Sequence, residues 1–195
     1  MRNFNQQKRR LYLKAIIASI AVLLCQPFLQ GAEKSKGPAT SAIKGQTLYT
    51  QFGLFYEGLV HRTTNYRKGI FVPVNTEVTF VKATKKVILV KLPNGKELKI
   101  QNVEEYSGED IDGIFTRTFS TEKVDLSKFT EAERKGIAAG EAVAGMKKAA
   151  VIVALGYPPK HQTPSLESSK WRYWRNRFGT FLVNFDGDVV SSIKD

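Results

Sequence analysis

The 195-residue sequence predicts a mixed α+β fold, with a β-rich half followed by an α-α-β-β-β unit. Three observations carry this prediction. Residues 76–103 alternate apolar and polar side chains around an Asn-Gly turn. Residues 130–156 read as two capped helices. The closing stretch KWRYWRNRFGTFLVNFDGDVV alternates again, with aromatic residues and a glycine turn. Hydrophobic residues make up 42% of the chain, enough to build a packed core.

The chain opens with MRNFNQQKRRLYLK, a basic run, followed by the apolar AIIASIAVLLC at 15–25. That run has the length of a secretory hydrophobic region, well short of the roughly 20 residues that span a bilayer. Residues 1–32 are therefore predicted to be a signal peptide, cleaved near Gly31 or Ala32. An uncleaved N-terminal anchor is the alternative. Cys25, the sole cysteine, closes the apolar run. Cleavage beyond it leaves no thiol for a disulfide or a nucleophile. Lipidation at Cys25 is a further alternative, opposed by Leu23 and Leu24, where a small residue is wanted. Residues 33–44, small and polar, read as a flexible tether.

Residues 45–124 are predicted to be a small antiparallel β-barrel or rolled sheet. TEVTFVKA at 76–83 puts Val78 and Phe80 on one face. KKVILVKL at 85–92 runs into Pro93-Asn94-Gly95, a hairpin signal because Asn and Gly tolerate positive φ. KELKIQNV then turns Leu98 and Ile100 inward. The acidic EEYSGEDIDGIF at 104–115 reads as a turn.

The character changes at residue 125. A helix over DLSKFTEAERKGIAAG takes Ser127 or Thr130 as N-cap and stops at Gly140. A second helix spans about 146–155, with Gly156 as its stop and Pro158-Pro159 forbidding continuation. Strands are predicted at 170–178, 179–185 and 188–194, the last two joined by a turn at 185–188. Side-chain alternation on the first sets Trp171 and Tyr173 against Arg172 and Trp174.

The formal net charge is +12, but residues 1–32 carry five cations and no acid. The remaining excess is dispersed, without the basic block that nucleic-acid binding requires, so no nucleic-acid partner is expected. Catalytic and metal-binding patterns are absent from the sequence. His61 and His161 read as surface loop residues. Asp110, Asp112 and Gly113 echo a calcium loop without its alternating ligands and closing glutamate, and read as an exposed turn. Asp186 and Asp188 are explained by a hairpin turn. The expectation is a protein that is not an enzyme and takes no cofactor or metal.

The C-terminal stretch GMKKAAVIVALGYPPKHQTPSLESSKWRYW…GTFLVNFDGDVVSSI resembles the BamE/SmpA family of outer-membrane assembly lipoproteins. The matching positions are Gly145, Met146, Val151, Leu155, Gly156, Pro158, Trp171, Tyr173, Phe185, Gly187 and Val189. The resemblance covers about a third of the chain. It implies two helices on a three-stranded antiparallel sheet at 125–195, an envelope location and a scaffold or binding role, with Trp171 and Tyr173 as inward anchors. The sequence departs from the family in its degraded lipidation signal and its added β-rich region. HRTTNYRKGIFVPVNTEVTFVKATKKVILVKLPNGKELKI resembles bacterial SH3-like barrels, which implies a cell-wall or peptide ligand held by Asn65, Tyr66 and Arg67. A loop tied down by Tyr66 is the other reading of those residues.

The expected function is that of an exported envelope protein, periplasmic or outer-membrane associated, binding other envelope proteins through Arg172 and Trp174. Binding of peptidoglycan or anionic lipid through the SH3-like region is the alternative. Oligomeric state stays open.

Overall fold

A computed structural model describes residues 38–176 and 178–195. The signal-peptide reading, the alternatives at Cys25 and the first part of the expected tether lie outside the described residues. The described residues belong to one compact unit. It is mixed α+β and mostly sheet.

Helix α1 (Pro38–Ser41) precedes strands β1 (Thr47–Thr50), β2 (Leu54–Tyr56), β3 (Val60–Arg62), β4 (Ile70–Val72), β5 (Glu77–Ala83), β6 (Val87–Lys91) and β7 (Glu97–Gln101). Helices α2 (Glu104–Ser107) and α3 (Ile111–Thr118) lead into β8 (Phe119–Ser120). Helices α4 (Glu131–Ala139) and α5 (Lys148–Leu155) then precede β9 (Lys170–Trp174), β10 (Thr180–Asp186) and β11 (Val189–Lys194).

The expected antiparallel barrel does not close. Six strands form an open sheet in the order β3-β7-β6-β5-β1-β8, and β2 pairs β4 in a separate ribbon. One pairing is parallel: β3 lies beside β7, with His61 opposite Ile100. A parallel partner requires a long crossover, here the chain from 63 to 96, which carries β4, β5 and β6. The Asn94-Gly95 hairpin joins β6 to β7 with Gly95 at φ 80, the conformation its sequence predicts.

The acidic segment is helical rather than a turn. Asp110 caps α3 by accepting the Gly113 N–H at 2.8 Å. Ile111, Ile114, Phe115 and Thr118 recur at helical spacing and are buried. Asp112 accepts the Ala39 N–H at 2.8 Å, and Ala39 is itself buried, so the described end of the expected tether is docked. These contacts join α1 and α3 to the open sheet in one apolar cluster that includes Leu48, Phe80, Ile88 and Ile100.

A second cluster lies between α4, α5 and the three-stranded antiparallel sheet β11-β10-β9. Thr130 caps α4 in a full capping box with Glu133. Glu133 is buried; its carboxylate accepts the Thr130 N–H at 2.8 Å and the Lys147 N–H at 2.9 Å. Burial alone would raise its pKa, but these N–H groups and the Thr130 hydroxyl outweigh burial and hold it below the ordinary value. The same carboxylate thereby ties the start of α4 to the start of α5. Trp171 and Tyr173 are fully buried beneath the helices, while Arg172 and Trp174 lie on the opposite face, half-buried. Two residues from the β-rich half, Tyr66 and Val74, also belong to this second cluster.

Candidate functional site

In the stretch Asn65-Tyr66-Arg67, the Asn65 and Tyr66 side chains spend their polar atoms on the fold. The Asn65 amide donates to the carbonyls of Phe55 at 3.0 Å and Lys68 at 2.8 Å, and its Oδ1 accepts the Lys68 N–H at 2.9 Å. The Tyr66 hydroxyl donates to the Tyr157 carbonyl at 3.0 Å, and its ring meets Tyr173 edge-on at 4.9 Å. Tyr173 donates to the adjacent Gly156 carbonyl at 3.1 Å. Burial pushes both phenols up, so each stays a donor. The Arg67 guanidinium lies 4.4 Å from the centre of the Phe181 ring. Tyr66 is buried and Arg67 is turned onto Phe181 of the second sheet, which favours the reading of a loop tied down by Tyr66. The loop is a buckle between the two clusters.

His61 is likewise buried, on a strand rather than in a surface loop. Its Nδ1 lies 2.8 Å from the Phe55 carbonyl, which can only accept, so Nδ1 carries the proton. Burial holds its pKa at about 4, below the usual 6.5, against the smaller upward pull of that carbonyl. His61, Thr63, Ser107, Arg117 and Thr118 line a cavity of about 40 Å³. Such a volume suits a few waters and is far below the roughly 300 Å³ an organic ligand needs.

The His61 environment has a measurable consequence. Between pH 6.5 and about 4 the unfolded chain takes up a proton that the native state excludes. Stability therefore falls with pH across that window, by roughly 3 kcal/mol from this group, and below it both states are protonated. Glu133 adds to the acid loss from below its ordinary value, since its depressed carboxylate stabilises the fold only while ionised. Urea unfolding of His61→Gln should show a flattened profile between pH 6.5 and 4. A profile matching wild type would reject the buried neutral imidazole.

A larger, open groove of about 800 Å³ lies on the other side of Asn65 and Tyr66, which line both spaces. Its walls are the β2–β3 hairpin with Glu57 and Arg62, the 64–68 loop, Tyr106 of α2, and the end of β9 with Trp174 and Arg175. The Trp174 ring stacks on His161 at 6.1 Å and 23°, and His161 meets Tyr106 at 4.6 Å. The Lys160 N–H donates to the Tyr106 carbonyl at 2.9 Å, which brings the two loops together. Arg172 does not line this groove; its guanidinium donates to Thr180 Oγ1 at 3.1 Å. The expected Arg172–Trp174 pair is thus divided, with Trp174 alone reaching the groove.

Sequence reasoning placed Trp174, Asn65 and Tyr66 at the site but missed Arg62, Tyr106 and Arg175, and the His161 ring that packs on Trp174 and Tyr106. The aromatic–basic run 170–178 pointed toward Arg175. No linear signal connects Tyr106 with His161, because the contact joins segments more than fifty residues apart.

The fold and groove define a mixed α+β protein with an open aromatic and basic cleft. Comparison with protein-family models, curated proteins and solved structures finds no match.

Proposed function

We propose that this chain is an exported, non-enzymatic binding module of the bacterial envelope, with its C-terminal half of BamE/SmpA type and its β-rich half an opened relative of SH3-like barrels. The groove beside Trp174 carries the reading. Its volume lies in the range of ligand sites, and its wall combines aromatic rings with Arg62, Lys68 and Arg175. Tryptophan and arginine are the residues that dominate protein interfaces. The α-α-β-β-β order with Trp171 and Tyr173 buried supports the family reading. In-cell crosslinking followed by mass spectrometry should identify protein partners that Trp174→Ala loses. An unchanged partner list would reject the groove as the site, and recovery of the protein wholly in the cytoplasm would reject export.

A second reading, attachment to anionic lipid, is favoured by Phe178. It lies 89% exposed in the β9–β10 connection, beside Arg175 and Arg177 in sequence. Sedimentation with anionic vesicles, lost in Phe178→Ser and retained in Trp174→Ala, would favour lipid over protein. Retention on sacculi would favour the cell wall.

A further inference from the structure

We infer that the groove takes an extended, acidic peptide segment of a partner protein, added as a strand along β9. This rests on the binding-module reading and specifies what that site recognises. β9 is an end strand of its sheet. The Arg172 N–H leaves the sheet for Thr163 Oγ1 at 3.0 Å, while the Arg175 N–H reaches the Gly179 carbonyl at 2.9 Å. In an antiparallel ladder this parity turns the even-numbered residues of β9 outward, so Trp174 presents its N–H and C=O to the open edge.

The opposite wall is a strand whose outward backbone groups are mostly used within the fold. β3 ends the six-stranded sheet. The Lys99 N–H bonds the Leu59 carbonyl and the Thr63 N–H bonds the Gln101 carbonyl, each at 3.0 Å. Parity then turns the Arg62 N–H away from β7. Val60 exchanges both of its backbone bonds with Glu57, and the Arg62 carbonyl accepts the Asn65 N–H at 2.8 Å, so β9 at Trp174 is the open edge, a template for another strand, and β3 contributes the Arg62 side chain.

Charge selects the occupant. Arg62, Lys68 and Arg175 line the groove against one acid, Glu57. Lys68 is paired with Glu57 at 3.1 Å and Arg175 with Asp195, whereas Arg62 is exposed and has no acidic partner among the described residues. The chain's own residues 1–36 are a poor occupant, since they carry seven cations and one acid. Trp174 and Tyr106 offer apolar surface to the alternate side chains of an added strand.

The full chain would be panned at low ionic strength against a random-peptide library displayed on phage. Selected peptides should be enriched in Asp and Glu. A synthesised winner should bind wild type and lose about tenfold or more in affinity against Arg62→Glu, an exposed substitution. N-methylation of alternate peptide residues should abolish binding, which charge attraction alone would not produce. Selection of neutral or basic peptides, equal binding by Arg62→Glu, or indifference to N-methylation would each overturn the inference. Competition by a synthetic peptide of residues 1–36 would overturn it in favour of the chain's own terminus. Crosslinked partners that depend on Trp174 without any acidic peptide bound would overturn the inference alone, and loss of both would sink the binding function with it.

Discussion

Replacing Tyr66 by alanine should cost about 3–5 kcal/mol of stability, the range for deleting a buried aromatic side chain. The ring is buried between the two apolar clusters, in edge-on contact with Tyr173. Its hydroxyl holds the Tyr157 carbonyl at 3.0 Å. Tyr66→Phe keeps the ring and leaves that carbonyl without its donor, so it should cost about 1 kcal/mol. Urea unfolding followed by Trp171 and Trp174 fluorescence measures both. A loss below about 1 kcal/mol for Tyr66→Ala would mean that the β-rich half and the C-terminal sheet are stabilised independently of this buckle.

Gly156→Ala should destabilise by about 3 kcal/mol or more, from two additive causes. Gly156 stands at φ 82 and ψ −175, a region that residues with a Cβ avoid. An added Cβ would also lie 2.8 Å from the Phe52 ring, well inside contact distance. At roughly 2–4 °C per kcal/mol for a chain of this size, the melting temperature should drop by about 10 °C. An unchanged melting temperature would show that the α5 C-terminus relaxes without loss. The position matters to the site, because Gly156 and Tyr157 receive the hydroxyls of Tyr173 and Tyr66.

Several features followed from short stretches of sequence. Asn94-Gly95 turns where it should, with Gly95 alone taking the positive φ that closes the hairpin locally. Thr130 and Glu133 make a capping box readable from their spacing. Alternation along 170–174 set Trp171 and Tyr173 on the face opposite Arg172 and Trp174, and the resemblance implied that the first pair is the buried one, as it is. The helix over 111–118 has a local signature too, since Ile111, Ile114, Phe115 and Thr118 keep helical spacing, although the acidic, glycine-containing run around them reads as a turn.

Other features had no local signature. The strand Val60–Arg62 is short, and nothing in those residues says whether β7 lies beside it in parallel or antiparallel. That choice made the sheet open, buried His61 and left Arg62 on an edge. The groove joins Arg62, Tyr106 and Trp174 from three distant segments. Turn chemistry, capping and alternation act over a few residues, so the order of residues specifies them directly. Strand partners and groove walls depend on which apolar faces bury each other across the whole chain, and that competition is resolved only when the two clusters pack.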